Sequence, residues 1–408
     1  MVVNDKYHIA LFQKHLKILY DNSDGIGRVQ WNLSKAFINN GHKVDLIICD
    51  QNNSNLWKLP KETNLIQLSP STKLKSSFYT FLADPGHLWF KPKTVFFSSL
   101  RPRSLRYLPG YVNYLQNNQP DIVISAHTAF NLVALLASNI IKNQQPTIIT
   151  EHSIWAENPK DKKSHDKWKW WFPPSELANL YSKALKIVAV SNGVAENVSS
   201  VMNLERKKII TIYNPIVSSD LFFQANQEIK HQWIKEKGCP VILGVGRLVH
   251  QKNFSLLIKA FARVQRNRLS RLIILGDGKE RDDLQRLVRE YNLCDSVDLL
   301  GFVDNPYAYM TKADLLVLSS NTEGLPTVLI EALACGCPVV STNCSGGPAE
   351  ILEDGLYGPL VPVNDEEALA EAIISVLDSP PDPNWLKKRG MDFSVDKAAA
   401  NYLQAAID

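Results

Sequence analysis

The chain has 408 residues, more than a single domain usually holds, and 45% hydrophobic with 21% charged residues is the balance of a globular protein, not a disordered or fibrous one. No run of 18 apolar residues occurs: the richest stretch, 121–141, is interrupted by Ser125, His127, Thr128 and Asn131, so it reads as a strand and a buried helix, not a membrane span. The net charge of +4 hides an asymmetry, with 26 Lys/Arg against 15 Asp/Glu in residues 1–219 and 19 against 26 in residues 220–408. Halves of opposite sign point to two domains with different partners, one of them anionic.

In chain order, HIALF is the first expected strand, followed by a loop and a helix over RVQWNLSKAFINNGH that stops at Gly41. KVDLIIC, DIVISA, TIIT and KIVAV are further strands, each followed by a helix-compatible segment. The second half repeats the plan with PVILGVG, RLIILG, VDLLGF, DLLVLSS, CPVVST and GPLVPV. Strands alternating with helices predict parallel sheets. The fold class is therefore α/β, two doubly wound Rossmann-like domains facing across a cleft. The boundaries expected are 1–216 and 217–392, with a helix over about 393–408 packing back on the first domain. Ligands of such sheets bind beyond the carboxyl ends of the strands. The six cysteines are scattered, and Cys335-Gly-Cys337 fits neither a disulfide nor a metal spacing; they read as core residues of a reduced, cytosolic protein. The N-terminus lacks the basic segment and cleavage site of a signal peptide.

The chemistry-bearing residues follow strand ends. In GVGRLVHQKN, Arg247 and Lys252 sit between a strand and a helix expected near Asn253, where helix-end N–H groups and two cations make an anion site. Solvated surface cations are the plain alternative. Gly244 and Gly246 suggest a nicotinamide fingerprint, but its third glycine would fall at Val249, so that reading fails. Gly276 and Gly278 read as structural. In EGLPTVLIEALACGCPVVST, Pro326 suits the first position of a helix running to about Cys335. Glu323 then lies in the preceding loop, Gly324 allows close backbone approach, and N–H groups of Leu325, Thr327 and Val328 are expected to be exposed there. Carboxylates such as Glu323 and Glu331 suit vicinal hydroxyls of a sugar or ribose. The alternatives are a helix-dipole partner for Glu323 and an outward, solvated Glu331.

The ordered set GVGRLVHQKNFSLLIKAF, ILGDGKERDDL, LLGFVDN and EGLPTVLIEALACGCPVVST, over about 240–362, resembles the donor half of the family 4 glycosyltransferases, which have the two-domain GT-B fold. Its acid–x7–acid element is present as Glu323 and Glu331. The segments GIGRVQWNLSKAFINNGHKVDLI, TEHS, AVSNGVAENV and IYNPI resemble the family more loosely. The resemblance implies that Arg247 and Lys252 bind the nucleotide-sugar diphosphate, Glu331 the ribose and Glu323 the donor sugar. Phe302 and Val303 would hold the base, and Gly246, Gly324, Leu325, Pro326 and Thr327 would line the donor site. It implies retention of configuration, no catalytic metal and no cofactor beyond the nucleotide-sugar co-substrate, with UDP-sugar expected. Leaving-group charge would then be stabilised by preorganised cations and N–H groups.

In the first half, Gly25 and Gly27 are expected in the loop after the first strand, near donor phosphate and acceptor. His152 in Glu151-His152-Ser153 corresponds to a cleft histidine of the family, and His127 is similarly placed. Residues 87–115 hold five Lys/Arg, seven aromatics and no acid, and 159–174 juxtapose Lys167, Trp168, Lys169, Trp170, Trp171 and Phe172. Cations with indoles favour an anionic membrane surface, whereas inter-domain packing is the plain alternative. The expectation is a cytoplasmic enzyme, peripheral on the inner face of the membrane, acting on a lipid-linked or cell-surface glycan without a nucleic-acid partner. A nucleotide-sugar epimerase of the same fold and a non-enzymatic sugar-nucleotide or nucleic-acid binder stay open.

Overall fold

A computed structural model of the protein describes residues 5–14, 25–49, 62–85, 102–141, 145–155, 174–236 and 238–408. They fall into two compact units, one built on residues 5–14, 26–213 and 399–408, the other on 214–398. The basic aromatic run 159–173 and residues 86–101 lie outside the described residues.

The first unit is a seven-stranded sheet of β1 (His8–Gln13), β2 (Lys43–Ile48), β3 (Asn64–Gln67), β4 (Ile122–Ala126), β5 (Thr147–Glu151), β6 (Lys186–Ala189) and β7 (Ile209–Thr211). The order is β3-β2-β1-β4-β5-β6-β7 and every pairing is parallel. Strands β1, β2, β4 and β5 are buried on both faces, which is why they read as continuous apolar runs without alternation. β3 and β7 escape the sequence reading because four and three residues at a sheet edge carry too little pattern. Phe12 stacks on Tyr111 with ring centroids 4.0 Å apart and meets Phe130 edge-on at 5.4 Å. Tyr114 is also buried, its hydroxyl donating to Asp45 Oδ2 at 2.7 Å. These two tyrosines of the 87–115 stretch are thus core residues, not part of a lipid-facing surface.

The second unit is a six-stranded parallel sheet of β8 (Val241–Val245), β9 (Arg271–Leu275), β10 (Val297–Gly301), β11 (Leu315–Leu318), β12 (Val339–Thr342) and β13 (Leu360–Val361), in the order β10-β9-β8-β11-β12-β13. All six expected strands are present. Helix Phe254–Asn267 buries Leu257, Ile258, Phe261 and Val264 in a core shared with β8, β9 and helix Glu366–Asp378. Its start is fixed by Asn253, whose side chain accepts from the Leu256 N–H; such a cap contributes about 1 kcal/mol. The C-terminal helix is Val395–Ile407. Four cysteines are buried, but Cys294 is exposed and Cys239 half-buried, so the core reading holds only for Cys49, Cys335, Cys337 and Cys344. Among the described residues no helix is long and apolar enough to cross a membrane.

Candidate active site

In both sheets the strand order reverses between the first strand and the fourth: β1 lies beside β4, and β8 beside β11. At such a switch point the connections leave to opposite sides and a crevice opens beyond the carboxyl ends. In the second unit the loops entering that crevice are 246–253 after β8 and 319–326 after β11. They are stitched together by hydrogen bonds: Asn321 N–H to the Gln251 carbonyl, Asn321 Nδ2 to the His250 carbonyl, Gln251 Nε2 to the Thr322 carbonyl, each 2.8 Å. Ser319 Oγ donates to the Lys252 carbonyl at 2.9 Å, and Asn253 Nδ2 donates to Asn321 Oδ1 at 3.0 Å.

That stitching sets Lys252 Nζ 2.6 Å from Glu323 Oε1. The pair is largely withdrawn from water, at 17% and 8% side-chain exposure. Ser320 Oγ donates to the same Oε1 at 2.6 Å, so both strong bonds fall on one carboxylate oxygen. The sequence reading gave the two residues separate ligand roles and missed their pairing. Arg247 lies on the same β8 loop, exposed, and forms no ion pair among the described residues. The Glu323 backbone is held by its own N–H to the Ser345 carbonyl at 3.0 Å. Gly346, at φ +115°, packs so closely that a Cβ there would overlap the Glu323 carbonyl. Ser320, Ser345 and Gly346 are the supports that sequence reasoning did not single out. Cys344 is close enough that burial first, then the Glu323 charge, push its thiol up to about 12.

The following helix is Thr327–Cys335, starting one residue after the expected Pro326, which is its N-cap because ψ 95° there is not helical. Leu325 and Val328 are buried residues. Glu331 is 3% exposed, which overturns its reading as an outward, solvated acid. Burial, with the Glu331 carboxylate as a secondary cause, raises the Cys335 thiol to about 11. Phe302 and Val303 follow β10, with Phe302 exposed and Val303 half-buried. The loops after β8, β9 and β10 are laddered by Gly246 N–H to the Leu275 carbonyl (2.9 Å) and Gly276 N–H to the Gly301 carbonyl (2.7 Å). A Cβ on Gly276 would collide with the Gly246 carbonyl, so this glycine is structural, as expected.

Gly25 and Gly27 belong to helix Gly25–Asn39, not to a preceding loop. A Cβ at Gly25 would meet nothing within 4 Å, so no crowding demands glycine there. His127 follows β4 in the left-handed region, φ +81°, an uncommon conformation for a residue with a side chain. His152 follows β5 and its Nε2 lies 2.9 Å from Thr150 Oγ1. Thr150 also donates to the Ser125 carbonyl at 3.0 Å. A hydroxyl has one proton, and a carbonyl can only accept, so Thr150 must accept from His152, which fixes the Nε2–H tautomer. Between the histidines lies Glu151, 1% exposed. It accepts from Thr128 Oγ1 (3.0 Å), Asn131 Nδ2 (3.0 Å), Trp155 Nε1 (3.3 Å) and Tyr181 Oη (2.5 Å). Burial and then the Glu151 charge drive the Tyr181 hydroxyl far above its ordinary value, so it stays a donor. Glu151 ties β5 to the helix that starts beside His127. Its signal was legible as an acid closing the apolar run TIIT, but only the histidine was singled out.

The model for Glycosyltransferase Family 4 matches residues 23–219, and that for Glycosyl transferases group 1 matches residues 225–392. The Campylobacter jejuni GalNAc-alpha-(1->4)-GalNAc-alpha-(1->3)-diNAcBac-PP-undecaprenol alpha-1,4-N-acetyl-D-galactosaminyltransferase is 30% identical over 71% of this chain and 75% of its own length. The chain belongs to the family 4 glycosyltransferases. A second Campylobacter jejuni enzyme, N-acetylgalactosamine-N,N'-diacetylbacillosaminyl-diphospho-undecaprenol 4-alpha-N-acetylgalactosaminyltransferase, is 38% identical over 50% of this chain. The match spans about half, 53%, of that relative, and 58% of an uncharacterised glycosyltransferase of Methanocaldococcus jannaschii. Among solved structures, the Anabaena protein HepE in complex with UDP superposes with TM-score 0.72 at 17% identity, covering 97% of this chain and 98% of that one. A glycosyltransferase from Rickettsia africae does so with TM-score 0.72 at 18% identity, covering 98% of both. At these identities the likeness establishes the fold alone, the GT-B arrangement of two Rossmann-like domains.

Proposed function

We propose that this chain transfers a sugar from a nucleoside-diphosphate sugar, with UDP as the nucleotide, to a lipid-linked or cell-surface glycan. Transfer retains anomeric configuration, needs no metal, and takes place at the cytoplasmic face of an anionic membrane. The observation that carries this reading is the Lys252–Glu323 pair at the β8/β11 switch point, with Arg247 on the same loop. A diphosphate has charge for both cations: Arg247 offers a planar fork to phosphate oxygens and Lys252 a point charge. Glu323, already bonded through Oε1, has a second oxygen for a sugar hydroxyl, and Lys252 offsets the cost of its burial until the donor arrives. Glu331 serves the ribose hydroxyls, Phe302 and Val303 the base. As the sugar–phosphate bond breaks, charge builds on the diphosphate, where the fixed cations are better placed than mobile water. His152 and His127 serve the sugar and acceptor. The undecaprenol-linked substrates named for the Campylobacter relatives and the UDP held by HepE support the acceptor and donor classes.

The test is thermal shift and slow nucleotide release with UDP-, GDP- and ADP-sugars, with and without chelator. One UDP-sugar should raise the melting temperature equally in both conditions. A shift abolished by chelator removes metal independence, and a shift with no donor removes the donor assignment. Release of an epimerised free sugar nucleotide without acceptor would replace transfer by epimerisation.

A further inference from the structure

Helix Lys73–Ala83, KLKSSFYTFLA, is packed inside out. Its buried face is Ser76, Ser77, Thr80 and Ala83, turned toward helices Leu108–Asn118 and Thr128–Ile141. Its outward face carries Leu74 (72% exposed), Phe78 (57%), Phe81 (44%) and Leu82 (48%). At 100° per residue these four fall within about a 100° arc, a single apolar stripe. The hydroxyls of the inner face can be buried because each bonds to a carbonyl of its own helix: Ser76 and Ser77 to Lys73, Thr80 to Ser76. Small residues there let the helix sit close, while the large apolar side chains stay outside, where monomeric soluble proteins rarely gather them.

Among the described residues the exposed charges flanking the stripe are positive, and the one acid beside it, Asp84, is buried as the cap of the helix's carboxyl end. Lys73 and Lys75 flank it, and Arg103 and Arg106 are exposed on the adjoining short helix Arg103–Tyr107, joined to it by Arg106 Nε to the Ser71 carbonyl at 2.9 Å. The helix itself and the three helices it packs against, Arg103–Tyr107, Leu108–Asn118 and Thr128–Ile141, contain no Asp or Glu. An apolar stripe flanked by exposed cations matches an anionic lipid surface, where the rings and Leu side chains enter the acyl boundary and the cations meet headgroup phosphate.

We propose that helix Lys73–Ala83 is the element that docks this protein on anionic bilayers, lying in the interface plane with Leu74, Phe78 and Leu82 inserted. The proposal rests on the membrane part of the functional reading and deepens it by naming the surface. It is tested without donor or acceptor, so its outcome is independent of the glycosyl-transfer reading. Full-length protein is sedimented with vesicles of phosphatidylcholine alone or with about a third phosphatidylglycerol. The parent should bind the anionic vesicles, at least tenfold better than the neutral ones, with binding falling as salt rises. The triple variant Leu74→Ser/Phe78→Ser/Leu82→Ser should lose at least tenfold of that binding while its thermal melt stays at the parent value. Lys73→Glu/Lys75→Glu, which leaves the stripe and its packing intact, should lose the preference for anionic lipid. Unchanged vesicle binding in either variant overturns the assignment. So does parent protein that forms dimers without lipid which the triple variant abolishes, since the stripe would then cover a second copy of this chain.

Discussion

Replacing Lys252 by Met tests whether the switch-point pair is as desolvated as its geometry indicates. At 2.6 Å and an effective dielectric constant of about 20 the gross attraction is roughly 6 kcal/mol. Much of that repays removal of both charges from water, so the measurable quantity is the cost of orphaning one partner. Met keeps the stem and deletes the ammonium, leaving the Glu323 carboxylate 8% exposed with Ser320 as its remaining side-chain donor. Breaking a buried pair costs about 3–5 kcal/mol, and the 17% exposure of Lys252 places this one near the lower end, about 3 kcal/mol. For a unit the size of residues 214–398 that lowers the melting temperature by about 6–12 °C. Calorimetry reads the shift. The double variant Lys252→Met/Glu323→Leu should recover most of the loss, because no charge is then left unpaired, yet should remain as inactive as the single variant. Stability and chemistry are thereby separated. If Lys252→Met melts within 1 °C of the parent by this reasoning of about 3 kcal/mol, the pair is not buried in solution and the argument fails.

Thr150→Val removes the acceptor that fixes the His152 tautomer; nitrogen NMR of the imidazole should change from a single Nε2–H form to a mixture, and Thr150→Ser should restore it. Gly346→Ala forces a Cβ at φ +115° into the Glu323 carbonyl, so it should destabilise the second unit by at least about 2 kcal/mol and weaken donor-induced thermal shifts. Asp45 gives a pH signature: burial pushes its carboxyl up, but hydrogen bonds from Tyr114, Asn64 and His8 outweigh burial and hold it below its ordinary value of 3.8. Its contribution is therefore complete above the unfolded value and is lost as pH falls through the lower folded one. Asp45→Asn should cost about 3 kcal/mol at neutral pH, and the gap from the parent should narrow as the melts are taken to more acid conditions below about pH 4.

What was legible follows from how local each signal is. Runs such as PVILG and RLIIL announce buried parallel strands by themselves, and Asn253 before an apolar-periodic stretch announces a helix start. The three-residue β7 has no pattern to read. Pairing of Lys252 with Glu323, 71 positions apart, is not local at all. It depends on β11 returning beside β8 after β9 and β10 have been laid on the other side, a property of strand order. Glu151 was overlooked for a related reason: its four donors come from 128, 131, 155 and 181, and each looks ordinary where it stands.

Helix Lys73–Ala83 shows where pattern reading fails in principle. KLKSSFYTFLA has an apolar stripe and a hydroxyl stripe, and periodicity ordinarily turns the apolar one inward. The observed orientation is allowed because Ser76, Ser77 and Thr80 satisfy their hydroxyls on their own helix and so bury at little cost, while their small size admits close approach to the neighbouring helices. The apolar stripe is thereby left for another phase. A sequence encodes the amphipathicity of such a helix but not which of its two faces meets the protein. That choice is made by the shape of the neighbours and by what lies outside, and for a surface flanked by exposed cations the outside is expected to be anionic lipid, not water.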